Sequence, residues 1–435
     1  MRFIPKIGFC VTYHPLEENA DKAPEIFKNS FQIMESLEGF EIIPAKELIK
    51  DTATGISVGK QFKAQKVDVI CVKLATWSAD DPILEMSSIY DVPFIFWTYP
   101  HIHAGSLCGG QQFNMVFKEL NKECIFVYKD EEDAISKIRN YTKCVALKNN
   151  LKKIKLGIIG KPTQGMSEVQ YDDFSVKEIF GPTIYSISLN EFKELVRKIA
   201  DDKASPNWLE IKGKVGKVSV KDSDGLNAMK NHLALKKLIE SEQLSGVTIE
   251  CYPTYMGELC LAFSLLADEG IACACEADIN STILIYILMK LSGAPVHNID
   301  PLFLYDEDNS ILGCHCGCGS LNLAASKRDI ELANVRLANK GLCVLFSSKK
   351  GKVTMANLVG KKGTYRMGVL EGEAINTEMV FPGNPIRVKL PVSIDDYLDI
   401  VEECGLGHHW IVAYGSYGSI LRRFASLLGI DFIHF

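Results

Sequence analysis

Residues 271–300 read IACACEADINSTILIYILMKLSGAPVHNID. The segment begins as an apolar strand, passes through an acidic tip at Glu276 and Asp278, and continues as an apolar helix. Gly293 ends the helix, as glycine commonly does, and a second strand-like piece leads to Asp300. Strand, helix and strand in this order predict a βαβ unit of a parallel sheet.

The same alternation of strand and helix patterns extends toward the amino terminus. Helical patterns cover Ala23–Glu35 and Asp133–Cys144, and the Lys-rich stretch 148–155 resembles a linker. Short apolar runs rich in β-formers predict strands at Lys6–Val11, Val67–Lys73, Pro93–Trp97, Glu123–Val127, Lys155–Ile159, Gly246–Glu250 and Ile271–Cys275.

From about Asn309 the pattern changes to short strands separated by glycine and charged turns, which predicts antiparallel pairing. These strands are Val353–Asn357, Thr364–Glu371 and Pro385–Pro391. We therefore predict an α/β protein with two Rossmann-like doubly wound domains, residues 1–150 and 151–308, followed by a carboxyl-terminal domain, 309–435, rich in antiparallel β-strands.

Composition argues against several partners. The 435 residues carry a formal net charge of -6 and no block of Lys and Arg, so we expect no nucleic-acid partner. The first apolar stretch is closed by His14-Pro15 and predicts a buried strand, not a signal peptide. The apolar run 279–291 is shorter than the roughly 20 residues of a membrane span. We expect a cytoplasmic protein without a membrane partner, whose 14 cysteines are mostly free thiols.

Sequence motifs of other enzyme classes are missing. No G-x-G-x-x-G follows a strand, which disfavours a dinucleotide-dependent dehydrogenase. The phosphate-binding G-x-x-x-x-G-K-[ST] and the G-x-S-x-G elbow of α/β-hydrolases are also missing. The chemistry must therefore come from other residues.

Glu276 and Asp300 are the strongest candidates. They are separated by about one helix and a return strand, so both would emerge at one sheet edge if their strands were neighbours. Two carboxylates in one cleft repel each other unless a cation or a shared proton intervenes. Oxygen ligands favour Mg²⁺, Mn²⁺ or Ca²⁺, and an added imidazole favours Mn²⁺. His315 or the pair His408-His409 could supply that nitrogen.

Simpler explanations exist for these residues. Asp278 or Asn280 could serve only as the N-cap of the following helix, although Glu276 would remain unexplained. His408 and His409 could be loop residues, one of them pointing outward. Residues Cys314, Cys316 and Cys318 have C-x-C-x-C spacing, unlike the C-x₂₋₄-C pairs of structural zinc, and their interleaved glycines indicate a tight loop near a ligand.

Several segments of the chain form an ordered set. They are Glu250-Cys-Tyr-Pro253, Leu266-Ala-Asp-Glu-Gly270, Ala274-Cys-Glu-Ala-Asp278, Leu291-Ser-Gly-Ala-Pro295, Asp300 and His408-His-Trp-Ile-Val-Ala-Tyr-Gly415. Together these segments resemble the L-fucose isomerase and L-arabinose isomerase superfamily. The resemblance covers about residues 246 to 319 and the region near His408, whereas the first 240 residues are similar in architecture only.

The resemblance implies a homo-oligomeric aldose–ketose isomerase, often a hexamer, that uses Mn²⁺ or another divalent cation. It assigns the metal to Glu276, Asp300 and His409, with the two acids also acting as the acid/base pair around an enediolate. His409 keeps the family's distance to Tyr414-Gly415 better than His408 does. His315, in a Leu-Gly-x-His context like that of arabinose isomerases, is either a fourth ligand or a group behind the ligands.

The resemblance also implies that residues of the first domain reach an active site of a neighbouring subunit. Candidate substrate-binding residues are Trp97, His101, His103, Gln112, His315 and His408; Trp97 is otherwise a core residue at a strand end. The expected substrate is a hexose, deoxyhexose or pentose. Alternatives are a modified sugar such as sulfoquinovose, or a non-catalytic sugar-binding or regulatory protein on the same scaffold.

Overall fold

A computed structural model of the chain describes residues 4–129 and 132–435. The chain forms two compact units, Met1–Asn149 and Asn150–Phe435. The second unit contains both parallel and antiparallel sheets. The division into three domains, with a further boundary between residues 308 and 309, stays a prediction.

The first unit is built on a five-stranded parallel sheet in the order β2-β1-β3-β4-β5. Its strands are β1 Lys6–Thr12, β2 Glu41–Pro44, β3 Val69–Leu74, β4 Phe94–Thr98 and β5 Cys124–Tyr128. Its helices are α1 Ala23–Glu35, α2 Thr52–Gln65, α3 Asp81–Ile89, α4 Ser106–Glu119 and α5 Glu132–Leu151. Every residue of β3 and β4 is buried, as expected for central strands of a parallel sheet covered on both faces.

The second unit begins with a four-stranded parallel sheet in the order β10-β9-β6-β7. These strands are β6 Lys155–Ile159, β7 Thr183–Ile187, β9 Gly246–Ile249 and β10 Ala272–Ala274. The accompanying helices are α6 Asp173–Ser175, α7 Leu189–Arg197, α8 Asp201–Lys214, α9 Asp222–Glu242, α10 Cys260–Asp268 and α11 Ile279–Ser292. The predicted α/β fold class is confirmed in both units.

A seven-stranded, mainly antiparallel sheet forms the rest of this unit, in the order β15-β18-β11-β12-β17-β16-β19. β15 also pairs with β16, which closes the sheet into a ring, with β19 added at one side. The strands are β11 His297–Tyr305, β12 Ser310–Cys314, β15 Gly351–Lys361, β16 Thr364–Ile375, β17 Ile386–Lys389, β18 Trp410–Tyr414 and β19 Asp431–His434. Smaller elements are the sheet of β8 Lys217–Val218, β13 Glu331–Val335 and β14 Lys340–Leu345, and the helices α12 Ile394–Cys404 and α13 Gly418–Leu428.

Helix α11 lies between the two large sheets of the second unit. It contacts β9 and β10 of the parallel sheet as well as β15 and β18 of the ring, and all its residues from Ile279 to Met289 are buried. A helix that is apolar on all sides is expected in this central position. The residues that precede α11 therefore sit beside both sheets.

Neither α11 nor any other helix in the described ranges has both the length and the apolar character needed to cross a membrane.

Two predictions about connectivity are wrong. The proposed linker 148–155 is not an extended connection, although the boundary between the two units falls within it: α5 continues through its first half to Leu151, and β6 starts at Lys155. The strand that ends the 271–300 segment does not join β10 in a parallel sheet. It runs past Asp300 as β11 and forms an antiparallel hairpin with β12, so local hairpin pairing replaces the predicted crossover.

Candidate metal centre

Glu276 sits in the turn between β10 and α11, and its side chain is buried. Glu276 and Ala277 both adopt left-handed backbone conformations, with φ of 64° and 57°, which cost about 1–3 kcal/mol each for residues other than glycine. Two loops hold this strained turn. The Glu276 N–H donates to Cys251 Sγ at 3.4 Å, and its carbonyl accepts a hydrogen bond from the Thr163 N–H at 3.3 Å.

Asp278, two residues later, accepts hydrogen bonds from Ser281 and His409 with its two carboxylate oxygens. Its Oδ1 accepts the backbone N–H of Ser281 at 3.0 Å, which caps α11. Its Oδ2 accepts a hydrogen bond from His409 Nδ1 at 2.8 Å. The capping explanation thus holds for Asp278 and not for Asn280, and the cap is only part of what Asp278 does.

His409 directly precedes β18, and Asp278 fixes its tautomer. An ionised carboxylate only accepts hydrogen bonds, so His409 Nδ1 must carry the proton. Nε2 then faces the two predicted acids, 3.0 Å from Glu276 Oε2 and 3.8 Å from Asp300 Oδ1. The backbone carbonyl of His409 accepts a hydrogen bond from Asn357 Nδ2 at 2.7 Å, which holds the loop. A carboxylate behind a ligating imidazole is the usual way to orient it toward a metal.

Asp300 and His315 reach the same place from the β11–β12 hairpin. Asp300 is paired with Cys314 in the strand register, and His315 follows directly. His315 Nε2 lies 3.9 Å from Asp300 Oδ1. The His315 side chain is buried, whereas that of Asp300 is 30% exposed and can be approached from outside. The two acids therefore converge across two sheets and not along one sheet edge.

Four buried atoms at this place have no hydrogen-bond partner among the residues that the structure describes. They are Glu276 Oε2, Asp300 Oδ1, His315 Nε2 and His409 Nε2. Glu276 Oε2 and His409 Nε2 approach closely without aligning as a hydrogen bond. Ligand atoms of Glu276, His315 and His409 all lie within 4.8 Å of one another. Unpaired buried polar atoms are costly, and two carboxylates with two imidazoles are a donor set that suits a divalent cation. The residues fit a metal.

The electrostatics of the site also favour a positive charge between the carboxylates. Burial disfavours the charged form of His409, but its contacts with Asp278 and Glu276 outweigh that effect and raise its pKa to about 10. Burial also opposes ionisation of Glu276, yet His409 and the charge of His315 lower its pKa to about 2. Without a metal, a protonated imidazole thus supplies the positive charge between the carboxylates.

This arrangement predicts how the stability of metal-free protein changes with pH. The His409 pKa rises from 6.5 to about 10 on folding, so its stabilisation is complete below pH 6.5 and is lost as pH rises through 10. We expect the free energy of unfolding, measured by urea titration after metal removal, to fall between pH 6.5 and pH 10. The fall should be smaller in His409→Gln. Equal pH dependence in both proteins would contradict this assignment.

Replacing Asp278 with Asn tests its contact with His409. Asparagine keeps the helix cap but removes the negative charge behind the imidazole, so we expect the affinity for a divalent cation to fall about 10- to 100-fold. Isothermal titration calorimetry measures this change. Asp51→Asn is the matched control, because Asp51 caps α2 in the same way, accepting the Thr54 N–H at 2.9 Å. A similar loss in both variants would exclude the proposed role.

His408 points elsewhere. Its Nδ1 forms a close ion pair with Glu168, its backbone N–H donates to Glu168 Oε1 at 3.1 Å, and its side chain is 41% exposed. Of the two neighbouring histidines, His409 is the one that faces Glu276 and Asp300. A role for His408 in substrate binding stays a prediction.

The predicted residues of the first unit have contacts within that unit. Trp97 is buried in β4, and its Nε1 donates to the Lys129 carbonyl at 2.6 Å, which fits the core alternative. His101 stacks on Tyr99 with ring centroids 5.8 Å apart. His103 is exposed and lies 3.5 Å from Glu18, and Gln112 accepts a hydrogen bond from Trp77 Nε1 at 2.9 Å. A role for these four residues in substrate binding stays a prediction.

Sequence reasoning missed three contributors. Asp278 was considered as a helix cap, and nothing in its neighbourhood indicates a partner 131 residues away. Glu168 is 240 residues from the His408 it pairs with. The position of Thr163 gave a weak indication of a role at the site, because it follows a strand end where ligand-binding loops of α/β sheets occur.

Comparison with known proteins adds independent information. No family model matches the chain. A sulfoquinovose isomerase from Priestia aryabhattai is 25% identical over 85% of this chain and 86% of its own length. One from Clostridium sp. (strain MSTE9) is 23% identical over 93% of this chain and 94% of its own. An L-arabinose isomerase from Aeromonas hydrophila is 21% identical over 75% of this chain and 69% of its own.

Proposed function

This chain belongs to the L-fucose and L-arabinose isomerase superfamily, as the sequence resemblance predicted. We propose that it is an enzyme that interconverts an aldose and a ketose and depends on a divalent cation. The observation that carries the proposal is the convergence at one place of four buried atoms without a hydrogen-bond partner among the described residues, from Glu276, Asp300, His315 and His409. A protein that only bound sugars would have no need of such a set.

Glu276, Asp300 and His409 would hold the cation, with His315 as the fourth ligand. Mixed carboxylate and imidazole donors favour Mn²⁺ among the common divalent ions. When bound, the cation would stabilise negative charge that develops on the sugar oxygens. Asp278 and the strained turn at Glu276 keep these side chains oriented, so little reorganisation is needed when a sugar binds.

The two carboxylates also supply the proton transfer that the reaction requires. Isomerisation moves one proton from C2 to C1 of the sugar through an enediolate, and a second proton from the oxygen on C2 to the oxygen on C1. A carboxylate within reach of both carbons can remove and return the first, and its partner can carry the second between the oxygens. Glu276 has a low pKa and is ionised at neutral pH, which is the form a base needs. Asp300 is the partly exposed member of the pair and can meet an incoming sugar.

For the substrate we propose a sulfonated hexose such as sulfoquinovose. The relatives that bear this name match 84% to 93% of the chain, compared with 75% for the named L-arabinose isomerase. An unmodified hexose, deoxyhexose or pentose is the second candidate, since His315 follows β12 in the context expected of arabinose isomerases. A homo-hexamer, implied by the family, and the cytoplasmic location expected from the sequence belong to the same proposal.

A sugar panel followed by NMR tests the function. Purified protein with Mn²⁺ is incubated separately with sulfoquinovose, glucose, fucose and arabinose, and the ketose signals are recorded over time. We expect ketose from sulfoquinovose at a rate that exceeds those with the other sugars. Ketose from an unmodified sugar alone would change the substrate and keep the reaction class. Binding of sugars without any ketose would favour a non-catalytic sugar-binding protein.

A further inference from the structure

A second group of potential metal ligands adjoins the other nitrogen of the His315 ring. Cys318 Sγ lies 4.0 Å from His315 Nδ1 and 3.7 Å from Cys275 Sγ. Ligand atoms of these three residues all lie within 4.8 Å of one another. Cys275 and His315 are buried and Cys318 is half-buried, and both cysteines are free thiols. This group is distinct from the carboxylate site at His315 Nε2.

The group is assembled from different strands. Cys275 lies at the end of β10, next to Glu276, and Cys318 lies in the loop after β12. A third thiol, Cys251, follows β9, adjoins Cys275, and accepts the Glu276 N–H at 3.4 Å. Ligands from separate segments are typical of structural zinc sites. The objection raised by the C-x-C-x-C spacing does not apply, because only Cys318 of that motif takes part. Cys314 instead interacts with the carbonyl of His315 at 3.3 Å.

The spacing of the thiols matches a metal better than a disulfide. Two thiolates at about 2.3 Å from a tetrahedral zinc lie roughly 3.8 Å apart, close to the observed 3.7 Å between Cys275 and Cys318. A disulfide would hold the sulfurs about 2.05 Å apart. Thiolate and imidazole ligands together favour zinc over the harder Mn²⁺ or Mg²⁺.

We propose that Cys275, Cys318 and His315 Nδ1 bind a thiophilic divalent cation, zinc in particular. Each coordinating thiol releases its proton to water when the metal binds. The plainer alternative is that the three groups are only hydrogen-bonded: the Cys275 thiol donates to Cys318 Sγ at 3.7 Å, and His315 Nδ1 and Cys318 Sγ, 4.0 Å apart, orient the ring. That alternative predicts no sulfur bound to any metal, so experiment separates the two.

The thiolate site and the carboxylate site would share the ring of His315. This has a measurable consequence, which rests on the proposed function. A neutral imidazole has one lone pair, so a ring that binds zinc through Nδ1 carries its proton on Nε2 and cannot bind a second cation there. Zinc should therefore weaken Mn²⁺ binding at the carboxylate site, and Mn²⁺ should weaken zinc binding by the same factor. The thiolate site itself does not depend on the enzymatic activity.

Cobalt serves as the spectroscopic probe. Full-length protein freed of metal is titrated with Co²⁺, and a thiolate-to-cobalt charge-transfer band is followed in the near ultraviolet. We expect the band in the wild type, its loss on addition of zinc, and its loss in Cys275→Ser and Cys318→Ser. It should persist in Cys108→Ser, which alters an exposed cysteine, and in Glu276→Gln, which removes only a carboxylate ligand. Because Glu276→Gln alters the carboxylate site and not the thiolate site, this variant separates failure of the thiolate site from failure of the proposed function.

X-ray absorption on wild-type protein makes the test independent of any variant. Less than one equivalent of zinc per chain is added to protein freed of metal, without Mn²⁺, so that the tighter zinc site fills first. We expect at least two sulfur scatterers at about 2.3 Å from the zinc. A zinc shell of oxygen and nitrogen only, or a cobalt band that survives in folded Cys275→Ser and Cys318→Ser, would overturn the proposal.

Discussion

Replacing Glu276 with Gln is expected to lower kcat for aldose–ketose isomerisation by about 10²- to 10⁴-fold, the range that general acid–base groups contribute. Glutamine keeps the size of the side chain but loses both the ionised oxygen that faces His409 Nε2 and the ability to carry a proton. The backbone of residue 276 is held by Cys251 and Thr163 through its N–H and carbonyl, so the fold should survive. Steady-state kinetics with the substrate found by NMR measure the effect.

Glu371→Gln is the matched control for this prediction. Glu371 is a half-buried carboxylate in the same unit, on β16, and its Oε1 accepts the backbone N–H of Gly418 at 3.0 Å, away from the candidate site. Its kcat should stay close to that of the wild type. If Glu276→Gln retained half or more of the wild-type kcat while Glu371→Gln behaved as expected, Glu276 would have no part in catalysis.

Removal of divalent cations is the second change with a large expected effect. Dialysis against EDTA should reduce activity to the background of the assay, because the remaining carboxylates and imidazoles cannot by themselves stabilise charge on the sugar oxygens. Addition of Mn²⁺ should restore activity, with about one equivalent bound per chain. Metal analysis by mass spectrometry and activity are measured on the same samples.

Two further observations make the metal experiment decisive. His408→Gln should regain activity with the same Mn²⁺ dependence as the wild type, because His408 pairs with Glu168 and not with the cluster. His409→Gln should need far more Mn²⁺, since it lacks the nitrogen that faces Glu276 and Asp300. Full activity in protein that contains well under one divalent cation per chain would contradict the account.

Much of the fold could be predicted because local patterns determined it. The strand Lys155–Ile159 and the helix Ala23–Glu35 have the predicted bounds, since a short apolar run between turns and an amphipathic period are properties of the segment itself. The helix that begins at Ile279 was also predicted, through its capping residue Asp278 and its stop at Gly293. These elements needed no knowledge of distant residues.

Prediction failed where distant pairing competes with local pairing. The strand through Asp300 has apolar residues on both sides of Pro301, and nothing in residues 271–300 shows that it will pair with β12 and β18 and not with β10. The contact between Asp278 and His409 spans 131 residues and needs α11 to lie between two sheets. The acids were predicted from their chemistry and the terminal histidine from the family resemblance, whereas their supporting contacts depend on the tertiary fold.

A crystal structure of the protein soaked in Mn²⁺, with diffraction recorded at the manganese absorption edge, tests the central claim most directly. We expect one strong anomalous peak per chain, bounded by Glu276 Oε2, Asp300 Oδ1 and His409 Nε2, with His315 Nε2 adjoining it. The peak should be absent from crystals of Glu276→Gln. A wild-type map without a peak at these four atoms, or with its main peak elsewhere on the chain, would contradict the account.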